Sequence, residues 1–269
     1  MKRTSGIQSP ARHVRRRTRT RPYALFVGLV LIAATSASVA SASDAPGPLG
    51  VTAVVTDTAH SARVGALFSA DRAEDLTGNH FCTASVVHSP QRDLVLTAAH
   101  CLGDDGTDLV FAPGYREGTA PYGLWKVERR FLPEGWSRDR DEDSDLAFAV
   151  VTPGKGAQGK AVEDVVGGNR FVTGAATGAT AVTVTGYPDS RETPISCTNR
   201  PKRHSATQQR IDCPEFTGGT SGSPWINGEH QVVGVLGGHE QGGSTPDTSY
   251  SVVFGAVAAE LYKEAAADP

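Results

Sequence analysis

The stretch Thr217-Gly218-Gly219-Thr220-Ser221-Gly222-Ser223-Pro224-Trp225 decides how this chain is read. Three glycines crowd around two serines. Glycine loses more conformational freedom on folding than any other residue and buries no side chain. A plain surface turn is satisfied with fewer of them. The density implies that other groups approach this backbone closely. A serine hydroxyl is a poor nucleophile until a base takes its proton. The tetrahedral intermediate it forms carries an oxyanion, which needs aimed backbone N–H donors. A Gly-Gly-Xaa-Ser turn supplies both, with the serine pointing outward and small neighbours letting two N–H groups converge. Ser221 reads as the nucleophile, and the N–H groups of Gly219 and Ser221 as the oxyanion hole. Ser223 is the alternative; the glycine pair before Thr220 and the proline after Ser223 favour Ser221.

A nucleophile of this kind requires a base and a group that orients it. Leu96-Thr-Ala-Ala-His-Cys101 places His100 where an apolar strand gives way to a small-residue turn. Asp143-Ser-Asp-Leu-Ala-Phe-Ala-Val-Val151 places Asp145 at the mouth of another apolar strand. A carboxylate there holds an imidazole in the right tautomer and stabilises the imidazolium. Asp143 competes for this role, but only Asp145 abuts the apolar run.

Composition narrows the setting. The chain has 269 residues, 39% hydrophobic, with 30 glycines and 16 prolines, which suits many short strands and turns. Residues 1–22 carry eight Lys/Arg and no acid, and a dozen apolar residues from Tyr23 follow. That run is short for a membrane span, and small residues up to Ala42 suit cleavage. Residues 1–42 are therefore expected to be an export signal and the protein to be secreted, without stable membrane association once the signal is removed. Removal leaves 18 Lys/Arg against 29 acids, a net charge of −11. Such an acidic chain is a poor partner for nucleic acid or anionic lipid.

Cys82, Cys101, Cys197 and Cys213 all fall in the exported part, which suggests two disulfides. Three pairings are open; the sequential one closes a short loop in each half. A zinc site from His80, Cys82, His100 and Cys101 is the rival, disfavoured by oxidising export and by the absence of a Cys-Xaa-Xaa-Cys spacing. A calcium loop over Gly103–Asp108 matches no standard spacing. No metal or organic cofactor is expected.

Residues 43–62 read as a short leader or loosely held arm. Strand patterns then run over 63–69, 80–89, 93–101, 122–132 and 144–151. The polar Gly/Pro stretch Thr152–Lys160 is the expected boundary between units at 63–152 and 153–269. Strands resume over 180–188, 209–216, 231–238 and 249–254. The tail from Gly255 turns helical, with Val257, Leu261 and Tyr262 on its apolar side. Two all-β units, barrels or sandwiches, followed by a terminal helix are predicted.

The motifs LTAAHC, DSDLAF and GTSGSP, in that order and 45 and 76 residues apart at His100, Asp145 and Ser221, resemble the trypsin-like (chymotrypsin-fold) serine proteases. FCTASVV, one strand before the histidine, looks like that family's cysteine-bearing strand. TVTGYP and GTSGSPW look most like the secreted bacterial branch that includes the glutamyl endopeptidases. The likeness runs from Arg63 to the terminal helix. It implies an all-β fold of two six-stranded antiparallel barrels with the active site between them, His100 and Asp145 from the first and Ser221 from the second. It also implies endopeptidase activity on proteins or peptides through an acyl-enzyme.

The pattern departs from the family in two places. Animal members carry an aspartate just before the nucleophile that pairs with a new N-terminal amine; here Thr220 stands there, so no N-terminal ion pair is expected to be needed. The family's substrate pocket maps onto Glu215, Phe216, Leu236, Gly237 and Gly238. Glu215 lies where trypsins carry their acid and would favour Arg or Lys before the cut, while Phe216 beside it could fill the pocket. Leu236 stands where the glutamyl branch needs a histidine, which argues against glutamate. A small or apolar preference is the third option. Two other functions fit a protein of this kind: a silent protease-like binding module, against which an intact triad argues, and an esterase or acyl-transfer enzyme on non-peptide substrates.

Overall fold

Two neighbouring strands explain much of the architecture. The computed structural model describes residues 48–103 and 106–268. In it, β4 (Leu94–Thr97) and β7 (Ala147–Pro153) pair antiparallel and are buried almost throughout. Successive side chains of a strand point to opposite faces. Val95, Ala147, Ala149 and Val151 enter one core with Leu67, Phe111 and Trp125. Leu94, Leu96, Phe148 and Val150 enter another with Phe171, Val232, Val235 and Leu261. A strand buried on both faces reads as a continuous apolar run, and these two do. Each fully buried Val, Leu or Phe among them contributes about 1.5–3 kcal/mol.

The first of those cores fills a closed barrel. Its strands are β2 (Val64–Ser69), β3 (His80–Val87), β4, β7, β6 (Trp125–Phe131) and β5 (Leu109–Pro113), in that order around the barrel. Alanines at 147 and 149 leave room for Trp125 and Phe111 inside it. The remaining strands divide into two sheets. One has the order β1 (Thr52–Val54), β10 (Ile195–Asn199), β9 (Val182–Gly186), β13 (Pro224–Asn227), β14 (Gln231–Val235), β8 (Arg170–Phe171). The other has β11 (Lys202–Arg203), β12 (Gln208–Asp212) and β15 (Thr248–Val252). The sheets meet where Gly237 N–H donates to Tyr250 O at 3.0 Å and Val235 N–H to Ser251 Oγ at 3.0 Å. Val184, Ile195, Ile211 and Trp225 pack between them. The all-β class, the six-stranded barrel and the terminal helix match the expectation from sequence.

Two expectations need correction. Residues 52–54, within the arm read as loosely held, form β1 and pair with β10. Thr52 Oγ1 also donates to Pro214 O at 2.6 Å, and Arg116 donates to Val55 O at 2.7 Å. Three residues carry too little alternation to announce a strand. The helix α3 (Ala256–Ala267) buries Ala258, Leu261 and Ala265, whereas Val257 is exposed and Tyr262 is half-buried. Alanines all round this helix hide its apolar face, and the face runs through Ala258 rather than Val257. Two further short helices, α1 (Glu134–Asp139) and α2 (Val162–Val166), lie in the first half and just after it. The expected export signal and the rest of the chain before Pro48 lie outside the described residues, as do Asp104 and Asp105 of the candidate calcium loop. Among the described residues no helix is long and apolar enough to cross a membrane.

The cysteines pair sequentially, Cys82 with Cys101 and Cys197 with Cys213. The first bond ties β3 to the turn that carries His100. Replacing both Cys82 and Cys101 by alanine is expected to lower stability by about 3 kcal/mol, the loop-closure value for a loop of this size. Denaturant unfolding of the variant checks this; a loss under about 1 kcal/mol would contradict it.

Candidate active site

β4 delivers the histidine. After Thr97 the chain passes through Ala98 into a 3-10 turn, Ala99–Cys101, which leaves His100 at the end of a fully buried strand. β7 delivers the acid. Asp145 follows a 3-10 turn, Glu142–Ser144, whose start is capped by the Asp141 side chain accepting from Asp143 N–H at 3.1 Å. The two meet. His100 Nδ1 lies 2.8 Å from Asp145 Oδ2, and His100 N–H donates to Asp145 Oδ1 at 3.0 Å. Gly238 N–H also donates to Asp145 Oδ2, at 2.8 Å. The Asp145 side chain is 0% exposed and that of His100 is 14% exposed. A buried carboxylate needs partners for its lone pairs, and three donors supply them. An ionised carboxylate only accepts, so the proton between the two side chains sits on His100 Nδ1. In the neutral imidazole this arrangement leaves Nε2 as the ring nitrogen without a proton. Trp136 packs near the imidazole, ring centroids 6.3 Å apart.

The glycine-rich turn is held on all sides. Thr83 N–H donates to Ser221 O at 2.7 Å, and Thr83 Oγ1 donates to Gly219 O at 3.0 Å. Gly222 N–H donates to Leu236 O at 2.7 Å. Gly222 has φ +84°, and a Cβ on it would lie 2.0 Å from Thr83 O and 2.2 Å from Thr97 Oγ1. The turn is therefore pressed onto the end of β4, three residues from His100. Gly219 has φ +86°, and a Cβ there would lie 2.5 Å from Tyr187 O. These approaches explain the glycine density.

Further bonds of the turn orient two N–H groups. In a planar trans peptide the C=O and N–H point in opposite directions. Gly218 O accepts from Asp189 N–H at 2.8 Å, so Gly219 N–H faces away from Asp189. Thr220 O accepts from Ser223 N–H at 3.0 Å and from Ser223 Oγ at 2.6 Å, so Ser221 N–H faces away from Ser223. Among the described residues neither N–H has an acceptor. Ser223, the alternative nucleophile, is fully buried with its hydroxyl committed to Thr220 O. Thr220 is also buried, and its hydroxyl donates to Thr217 O at 2.6 Å.

A cavity of about 310 Å³ adjoins Ser221. Phe216, Thr217, Leu236, Gln241, Ser244, Thr245 and Pro246 line it, with glycine backbone between them, and among the described residues no charged side chain does. Phe216 and Leu236 were expected here. Glu215 was too, but it does not line the cavity: its backbone has φ +71°, and its half-exposed carboxylate pairs with Arg191 at 2.6 Å. Gly237 and Gly238 likewise lie outside the lining and serve Asp145 instead; a Cβ on Gly237 would lie 2.9 Å from Asp145 Oδ2. Thr83, Gln241, Ser244 and Thr245 were not foreseen, because no local pattern marks a β3 hydroxyl or the polar stretch after β14 as reaching the site.

The zinc reading does not fit these residues. Cys82, His100 and Cys101 do cluster, but the two sulfurs are bonded to each other and offer no thiolate. His80 is buried elsewhere, with Nε2 2.9 Å from Pro188 O. His88, His204 and His230 are exposed, and His60 is half-buried.

A family profile described as a trypsin-like peptidase domain matches residues 82–235. The structure is similar to the protease Anisep from Arthrobacter nicotinovorans, at 28% identity and TM-score 0.68, covering 81% of this chain and 100% of that one. It is also similar to the thermostable serine protease AL20 from an extremophilic microorganism, at 27% identity and TM-score 0.66, covering 79% of this chain and 100% of that one. A Glu endopeptidase shares the fold at 18% identity and TM-score 0.64, covering 83% and 99%. No curated protein matches. The matched profile spans more than half of the sequence and every element carrying His100, Asp145 and Ser221, and the chain belongs to the trypsin-like peptidases, as a serine endopeptidase.

Proposed function

We propose that this is a secreted endopeptidase that cuts polypeptides through an acyl-enzyme on Ser221. The observation that carries the reading is the buried Asp145 bonded to His100 Nδ1, which frees Nε2 as the base. Ser221 Oγ attacks the carbonyl carbon of the scissile bond, and its proton passes to His100 Nε2. The oxyanion that forms accepts from Gly219 N–H and Ser221 N–H, worth several kcal/mol of transition-state stabilisation. As the intermediate collapses, the C–N bond breaks and the leaving amine takes the proton from Nε2. Water, activated by the same nitrogen, then releases the acid product and returns the proton to Ser221. Asp145 orients the imidazole and stabilises its cationic form throughout.

Export of the chain by residues 1–42, with 63–152 supplying His100 and Asp145 and the rest supplying Ser221, belongs to the same proposal. Both disulfides suit an oxidising compartment. The internal bond of Thr220 to Thr217 supports activity that needs no N-terminal ion pair.

The 310 Å³ cavity beside Ser221 is read as the pocket for the residue before the cut, and its uncharged lining favours uncharged side chains. A peptide library cleaved by the mature protein is expected to show uncharged residues before the cut, with Arg, Lys and Glu each at least about tenfold poorer, since an unpaired buried charge costs more than 1.4 kcal/mol. Glu215→Gln is expected to leave that profile unchanged. A preference for Arg or Lys that Glu215→Gln abolishes would overturn the pocket assignment. Turnover of simple esters with no peptide cleavage would favour the esterase reading instead.

A further inference from the structure

One wall of the cavity is strained. Glu240 and Gln241 are consecutive non-glycine residues in the left-handed region, at φ 52° and 55°. Each costs on the order of 1–2 kcal/mol. Such conformations persist only where neighbours over-determine them. Gln241 and Gly242 line the cavity beside Ser221, so whatever holds this stretch also shapes the cavity.

Two side chains hold it. Glu142, in the 3-10 turn just ahead of Asp145, accepts from Glu240 N–H through Oε1 at 2.9 Å. Its Oε2 faces His239 Nδ1 at 3.4 Å. Gln208, buried in β12, donates from Nε2 to Glu142 O and to Asp143 Oδ1, both at 2.9 Å. Gln208 Oε1 accepts from His239 N–H at 3.4 Å. The fit is close: a Cβ on Gly238 would lie 2.4 Å from Gln208 Oε1. Gly238 is also the residue whose N–H reaches Asp145.

We propose that Glu142 and Gln208 are positioning residues that clasp the Gly238–Gly242 wall to the turn carrying Asp145, and so set discrimination among the side chains that enter the cavity. This rests on the reading of that cavity as the substrate pocket. The clasp spans the chain, joining a turn of the first half to β12 and to the segment after β14. It fixes one wall of the pocket against the residue that orients the base. Among the described residues the Glu142 side chain bonds neither to the nucleophile turn nor to the His100 imidazole, so it acts on binding geometry rather than on proton transfer.

The test compares Glu142→Ala and Glu142→Gln with the unmodified mature protein on a panel of peptides varied before the cut. Glu142→Ala is expected to raise KM for the best peptide about tenfold, the loss of one charge-assisted bond, and to narrow the spread between best and poor peptides. Its kcat should change much less than its KM. Glu142→Gln keeps an acceptor for Glu240 N–H and is expected to recover KM to within about threefold of the original. Three results would overturn the clasp: unchanged KM and unchanged preference in Glu142→Ala, a uniform fall in kcat with KM untouched, or no recovery in Glu142→Gln. Labelling of the unmodified protein by a fluorophosphonate separates the two levels. A labelled Ser221 with a flat Glu142 series defeats the clasp alone, whereas no label on Ser221 defeats the reading beneath it.

Discussion

Replacing Ser221 by alanine is expected to lower kcat/KM on peptides by about 10⁴–10⁶-fold, leaving only what oriented N–H groups and binding contribute. The fold should survive, because among the described residues the Ser221 side chain has no hydrogen bond, while its carbonyl is already held by Thr83 N–H. In the proposed mechanism His100→Ala removes the base from the same unit. The double variant should therefore be about as slow as either single one, since members of one catalytic unit are not additive. Progress curves on a good peptide, beside unfolding curves for each variant, check both statements. A Ser221→Ala variant within about a hundredfold of the original would mean that another nucleophile does the work.

Gly222→Ala is expected to destabilise the protein by at least about 4 kcal/mol, because it combines a left-handed backbone with a buried clash. The added Cβ would lie 2.0 Å from a carbonyl of β3 and 2.2 Å from a hydroxyl of β4. Thr83 and Thr97 are both fully buried and hydrogen-bonded to each other, Thr97 Oγ1 donating to Thr83 O at 2.8 Å. Neither strand can retreat without opening the barrel. The conformation alone makes even the smallest side chain costly here. Denaturant unfolding reads the loss directly. A change under about 1 kcal/mol would mean that the nucleophile turn does not press on β3 and β4 as described.

What the sequence made legible follows from where its signals lie. The β4 and β7 runs are apolar on both faces, and His100 and Asp145 stand at their ends, so residue type and element boundary coincide. The contact of His100 with Asp145 joins those two ends, and Cys101, in the same turn as His100, carries the first disulfide. Glu215 was misleading for a tertiary reason. Its place in the chain suits a pocket acid, but its backbone turns left-handed and Arg191 draws the carboxylate outward. Glu142 and Gln208 were illegible because their partners are far away, at separations of 98 residues for Glu142 to Glu240 and 66 for Gln208 to Glu142. The arm over Thr52–Val54 gained its structure from an edge of β10, not from its own pattern.

The central claim is that Ser221 is a nucleophile activated by His100. The most direct measurement is to treat the mature protein with a fluorophosphonate and read the adduct by intact mass and peptide mapping. One adduct on Ser221, lost in Ser221→Ala and suppressed in His100→Ala, is the predicted result. A folded, disulfide-bonded sample that takes up no label, or that carries it on another residue, would contradict the account.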